Sequence, residues 1–227
     1  MIPALRRDVA LGCRILATEE QGDFVWGHVS ARDPEGRGVW MKATGFGFDE
    51  LTAEQVILVS WDGDVLDGEH RRHIEYPIHT ELLRARDDIH AVVHTHAPWS
   101  VAFAATEEPL RPVSHEGTLF VPPDVARFTA TGDLITTQAL GVDLARTVGE
   151  RNAALMVRHG IVACGGDLPT AVFNAVFLER ACRTNMRVLM AGGAKTWSSD
   201  EEALAKREHV YNLQTAWDYL ARRFAAG

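Results

Sequence analysis

Apolar residues recur at three- and four-residue intervals from Pro3 to about Glu20, at Leu5, Val9, Leu11, Ile15 and Leu16, and predict an amphipathic first helix that Gln21-Gly22-Asp23 ends. The pattern then changes period. FVWGHVSARD (24–33) and VWMKATGFG (39–47) are rich in β-forming residues and flank a polar connection from Pro34 to Gly38, which predicts a pair of strands. VILVSWDGDVLDG (56–68) sets Asp62-Gly63 between apolar runs; that dipeptide tolerates the positive φ angles of a tight turn, so a hairpin is expected. Pro77 suits a first helical turn, and PIHTELLRARDD (77–88) keeps Ile78, Leu82, Leu83 and Ala85 on one side of a short helix. AVFNAVFLERACRTNMRVLMAG (171–192) reads as a helix stopped by Gly192-Gly193. A last helix is expected to start at Ser198 or Ser199, with Glu201 and Glu202 placed as a capping box requires, and to run through Trp217 and Leu220 nearly to the end.

No 20–50-residue repeat, low-complexity tract or linker interrupts the 227 residues, so one domain over 1–227 is expected. Its class is α/β, with strand pairs in the middle and helices at both ends. A net charge of −8 repels phosphate backbones, which argues against a nucleic-acid partner. The N-terminal apolar residues are interrupted by Arg6, Arg7 and Asp8, unlike a signal peptide, and no run approaches the roughly 20 apolar residues that span a bilayer, so no membrane association is expected. Cys13, Cys164 and Cys182 are odd in number and lack a C-x-x-C pair, so neither a disulfide framework nor a thiolate metal site is predicted. A reducing, cytoplasmic compartment follows as the expectation.

The chemistry gathers at DDIHAVVHTHAPWSVAFA (87–104). Side chains at i and i+2 of a strand face the same way, so His94 and His96 project together while Thr95 points opposite. Such a pair either marks a strand's exit from the core or begins a metal site. AALMVRHGIVACGGD (153–167) repeats the arrangement, an apolar run leading to His159 and then Gly160. A third neutral imidazole at the end of an adjacent strand would complete a facial three-nitrogen set and leave positions open on a metal for substrate. Glu75, just ahead of the Pro77 helix, would reach the same metal or serve as a base. GEHRRHIEYP (68–77) adds Arg71, Arg72 and His73, and the planar fork of arginine suits a carboxylate. TGFG (44–47) has no following β-α-β unit, so no dinucleotide site is expected.

Taken together, GHVSAR (27–32), ATG (43–45), Glu75, HTHAP (94–98), RHG (158–160), the glycines near 165 and LERACR (178–183) resemble the class II aldolase/adducin family over nearly the whole chain. The resemblance implies a three-layer α/β/α fold with a largely antiparallel central sheet, and a homotetramer with sites at subunit contacts. It implies a divalent metal held by His94, His96 and His159 with Glu75 transferring protons. Zinc is the expected ion, with manganese, cobalt or ferrous iron as alternatives. The resemblance also places His28, Thr44 and Gly45 at substrate-binding positions, brings His115 near the site and gives Tyr211 a proton to deliver from the last helix. The remaining histidines, His70, His79, His90 and His209, are expected at surface or helix positions.

Sugar-phosphate members of the family carry an asparagine where His28 stands and paired serines where this chain has His73-Ile74. Ile74 offers no donor to a phosphate, so phosphate recognition is in doubt. The similarity is greater to bacterial members that act on aromatic or hydroxy acids, including dihydroxyphthalate-type decarboxylases. The expected function is therefore metal-dependent cleavage of a carbon–carbon bond, by decarboxylation or retro-aldol reaction, in a hydroxy or keto acid lacking phosphate. A sugar-phosphate aldolase or 4-epimerase is the enzymatic alternative, and an adducin-like interaction module without catalysis is the alternative of another kind.

Overall fold

The periodic start of the chain forms α1 (Ile2–Thr18), which buries Val9, Cys13, Ile15 and Leu16 on one side. A computed structural model describes residues 2–209 and 212–225. The extended segments form β1 (His28–Arg32), β2 (Gly38–Lys42), β3 (Val56–Ser60), β4 (Val65–Asp67), β5 (Ala91–Thr95), β6 (Ala126–Phe128), β7 (Ala153–Met156) and β8 (Gly160–Gly165). The helices after α1 are α2 (Pro77–Ala85), α3 (Pro98–Ala104), α4 (Gln138–Val148), α5 (Leu168–Met190), α6 (Asp200–Glu208) and α7 (Leu213–Ala225).

The strands make one eight-stranded sheet in the order β4-β3-β2-β1-β5-β8-β7-β6. Every neighbouring pair is antiparallel except β6 with β7. Side chains alternate across each strand, so both faces must be covered. Val29, Ala31, Trp40 and Val93 pack beneath α1, α3, α5 and α7, whereas Val39, Met41, Val92 and Val162 pack beneath α2 and α4. The three layers and largely antiparallel sheet are those the family resemblance implies.

Three local differences have physical causes. The first strand begins at His28 rather than Phe24, because Phe24 has a φ of +46° and an isolated bridge between Asp23 and Trp26 closes a turn ahead of the strand. The last helix of the sequence reading is two helices. Arg207 of α6 donates to the carbonyls of Thr118 (2.7 Å) and Pro122 (2.6 Å), while Trp217 of α7 packs into the α1/α5 core, and one straight rod cannot serve both surfaces. The capping box of Ser199 with Glu202 is present as expected. Helices α3 and α4 were not anticipated. The first is seven residues long, too short for periodicity to register, and the second starts on a Thr137 cap whose hydroxyl accepts from Leu140 N–H.

Candidate functional site

β1, β5 and β8 lie side by side at the centre of the sheet, and their register sets His28 opposite His94 and His94 opposite Val162. His96 follows the last residue of β5, and His159 sits in the turn that joins β7 to β8. Gly160 is required there, since an added Cβ would stand 2.4 Å from the Thr95 carbonyl oxygen and 3.1 Å from the His96 ring. The segment carrying His96 is anchored from the far side by Glu179 of α5. Its carboxylate accepts from the N–H groups of Trp99 (2.9 Å) and Ser100 (2.8 Å) and from the Ser100 hydroxyl (2.7 Å), which fixes the start of α3.

The three imidazoles meet. Ring centroids lie 5.2 Å apart for His94 and His96, 4.9 Å for His94 and His159, and 5.4 Å for His96 and His159. One nitrogen from each ring falls within 4.8 Å of the others. The partners behind two of the rings decide where the protons are. His94 Nδ1 is 2.8 Å from the Ile161 carbonyl, which can only accept, so Nδ1 carries the proton and Nε2 keeps a lone pair. His96 Nδ1 likewise donates to the Asp23 carboxylate at 2.8 Å. Both Nε2 atoms, and both ring nitrogens of His159, are buried without a hydrogen-bond partner. Orphaned polar atoms at this density are rare in a folded protein. Inward lone pairs backed by Nδ1–H donation to a carbonyl and a carboxylate are what a metal-ligating histidine requires, so this set fits a divalent cation.

Glu75 lies beside the set, its Oε1 3.5 Å from His159 Nε2 and 2.8 Å from the Ile135 N–H that it accepts. Burial raises its carboxyl above the ordinary range, against the opposing pull of the Ile135 N–H. Burial, and then the neighbouring His96, pushes the His159 ring down to about 4. His94 falls well below the usual imidazole range for the same first reason. Those two rings are therefore neutral at pH 7, each keeping a lone pair.

A second group of polar side chains extends the site along β1 and β2. His28 packs its ring 4.5 Å from that of His73 and 4.9 Å from that of His94. Lys42, fully buried, donates to the Val25 carbonyl (2.9 Å) and reaches His73 Nε2 (3.2 Å), and burial lowers its ammonium to about 8. Nothing in the sequence pattern singled out Lys42, which sits within an otherwise apolar strand run. His79 was expected at a surface or helix position. It is on α2 but completely buried, its Nε2 2.6 Å from His28 Nδ1 and its Nδ1 2.7 Å from the Ser30 hydroxyl.

The other expected residues divide. Thr44 is half-buried and donates its N–H to the Arg71 carbonyl (2.9 Å), and Gly45 is exposed with a φ of +92°. The Arg71 side chain is exposed. Arg72 donates from Nε to the Gly63 carbonyl and from Nη1 to the His73 carbonyl and stacks on Tyr76 at 4.3 Å, so it braces the β3–β4 hairpin with part of its guanidinium. His115 is exposed at the start of a 3-10 turn and lines a surface cleft with Trp197 and Lys206, apart from the imidazoles within this chain. Tyr211 lies outside the described residues.

Burial of neutral rings has a consequence for acid stability. Burial holds both His73 and His79 at about 3, whereas the same rings in an unfolded chain take up a proton below about 6.5. Between those values the unfolded state binds more protons, so stability is lost as the pH falls from 6.5 towards 3. We expect urea unfolding of the metal-free protein to lose about 1 kcal/mol per ring for each pH unit below about 6.5, where a flat profile would contradict the buried neutral pair.

Residues 7–186 match the sequence model of the Class II Aldolase and Adducin N-terminal domain, and the chain belongs to that family. It is 32% identical over 236 residues to a 3,4-dihydroxyphthalate decarboxylase of Arthrobacter keyseri, an alignment covering 97% of this chain and 94% of that protein. It is 29% identical over 189 residues to a 5-deoxy-D-ribulose 1-phosphate aldolase of Bacillus thuringiensis serovar kurstaki, covering 83% of this chain and 87% of the other. Among solved structures, an aldolase II superfamily protein from Pseudomonas syringae superposes with a TM-score of 0.87 at 25% identity, over 97% of this chain and 92% of that one. Relatives of both kinds, decarboxylase and aldolase, support a lyase.

Proposed function

We propose that the protein is a metal-dependent lyase that breaks a carbon–carbon bond in a hydroxy acid lacking phosphate, with decarboxylation of an aromatic hydroxy acid as the first choice. The observation that carries this reading is the set of buried, unpartnered nitrogens of His94, His96 and His159 with the Glu75 carboxyl beside them. His94, His96 and His159 would hold a divalent cation, zinc foremost, which would supply Lewis acidity towards neighbouring substrate oxygens and stabilise the electron pair left when the bond breaks. Glu75 handles the proton. Its raised pKa keeps the acid form populated closer to neutrality, so it can protonate the carbon that carbon dioxide has left, or exchange a proton at the corresponding carbon in a retro-aldol cleavage.

The rings of His28 and His73 and the exposed Ile74 stand against a phosphate site, since a dianion is wrapped by hydroxyl, amide and backbone donors. The buried Lys42 ammonium behind His73 instead offers a single positive charge, which suits one carboxylate. A homotetrameric, cytoplasmic enzyme belongs to the same reading. Exposed Phe24 and Trp26, packed edge to face beside the Asp23 that supports His96, give the site an apolar flank for a neighbouring copy. Three buried cysteines that stand as free thiols suit a reducing compartment.

The test is a panel of dihydroxyphthalates, hydroxybenzoates and aliphatic aldol acids, set against sugar 1-phosphates, with metal-reconstituted protein purified without a polyhistidine tag. Release of carbon dioxide or an aldehyde from an unphosphorylated acid is the expected result. Turnover confined to the sugar phosphates would replace this reading with the aldolase, and protein that takes up no metal would defeat it.

A further inference from the structure

The site offers a cation two competing sets of ligand atoms. His94, His96 and His159 form one, and His28, Glu75 and His94 form the other, each with its atoms within 4.8 Å. Which set is available depends on the proton of His28, and the residues behind that ring determine it. His28 and Ser30 are two apart on β1, so both face α2, where His79 fills the space between them. The contacts run from Ser30 Oγ to His79 Nδ1 at 2.7 Å, and from His79 Nε2 to His28 Nδ1 at 2.6 Å. All three side chains are at most 1% exposed.

Each contact between facing nitrogens needs one donor and one acceptor, so two proton arrangements are open to the neutral chain of groups. In the first, the Ser30 hydroxyl donates to His79 Nδ1, His79 Nε2–H donates to His28 Nδ1, and the remaining proton of His28 is on Nε2. In the second, every donation reverses: His28 Nδ1–H donates to His79, His79 Nδ1–H donates to Ser30, and His28 Nε2 is left bare. The two hold the same number of protons. They differ at Ser30, whose hydroxyl has no partner other than His79 among the described residues. In the second arrangement its hydrogen is buried with nothing to accept it, and an orphaned buried donor is disfavoured more than a spare lone pair. The first arrangement wins. With Nδ1 occupied by His79, the nitrogen of His28 left for the site is Nε2, and it carries a hydrogen.

We propose that Ser30 and His79 are positioning residues that hold His28 in its Nε2-protonated tautomer, which makes His28 a hydrogen-bond donor to a substrate oxygen and not a ligand of the metal. A protonated nitrogen has no lone pair for a cation, so the cation is directed to His94, His96 and His159. The group made by His28, Glu75 and His94 then becomes the substrate side of the site. What the Nε2–H meets rests on the lyase reading above; the tautomer itself does not.

The experiment is histidine 15N NMR on zinc-loaded protein, reading for each ring which nitrogen is protonated. His28 is expected to show a protonated Nε2 and a bare Nδ1. In Ser30→Asp an ionised carboxylate can only accept, so His79 Nδ1 must donate to it and His28 Nδ1 to His79 Nε2, and the ratio of tautomers should move by at least about tenfold towards Nδ1–H. Ser30→Thr, which keeps a hydroxyl, should keep the wild-type tautomer. Zinc content should be unchanged in Ser30→Thr and in His28→Gln. A wild-type His28 protonated on Nδ1, a ratio indifferent to folded Ser30→Asp, or loss of zinc from folded His28→Gln would each overturn the proposal. Wild-type protein that fails to hold zinc would sink the lyase reading alone, since the tautomer of His28 is read from the same spectra without it.

Discussion

Replacing His94 by alanine is expected to abolish metal binding and lower turnover by about 10³-fold or more, since several kcal/mol of charge stabilisation disappear with the cation. His94 is the most constrained of the three rings. It is completely buried in the central strand, paired with His28 on one side and Val162 on the other, and its Nδ1 is committed to the Ile161 carbonyl. No rotation can bring another donor to the place its Nε2 occupies. The measurement is metal content by elemental analysis alongside steady-state rates, with circular dichroism to confirm folding. Folded protein that retains stoichiometric metal and full rate would remove His94 from the ligand set.

Replacing Glu75 by glutamine should separate proton transfer from metal binding. The amide keeps the shape of the side chain and an oxygen to accept the Ile135 N–H, so folding and metal content should persist. The rate should fall by about 10²- to 10⁴-fold, the usual contribution of a positioned acid or base. Because burial raises the Glu75 pKa, the acid form that delivers the proton is lost as the pH rises through that value, giving the wild-type rate a descending limb. That limb should vanish in the glutamine variant. If metal content falls in step with the rate, Glu75 serves as a ligand rather than as the proton carrier.

The fold was legible where a single element declared itself. Pro77 at a helix start, Asp62-Gly63 in a hairpin and Ser199 with Glu202 in a capping box each act within a few residues. His94 and His96 were legible as a pair because strand alternation acts over two residues, although His96 lies just past the strand and is aimed by Asp23. The support behind the site was not legible. Nothing local distinguishes His79 of α2 from a histidine on a solvated face, since its burial depends on β1 arriving from fifty residues upstream. The same holds for Lys42, whose solvation is replaced by the Val25 carbonyl and His73 only after the sheet has formed. Arg72 shows a further structural duty that its charge alone did not announce: two of its donors and its stacking on Tyr76 brace the hairpin.

The strand order carries a kinetic consequence. β1 has no neighbour in the sheet but β2 and β5, and β5 is joined in turn to β8, so the imidazoles converge only after segments remote in sequence have closed into register. Loop-closure entropy must be met before such pairings return any contact energy, which makes them late events in folding. If the three imidazoles hold a cation as proposed, the N-terminal hairpins are expected to be able to form before it can be captured, and loading to wait on the arrival of the β7–β8 turn.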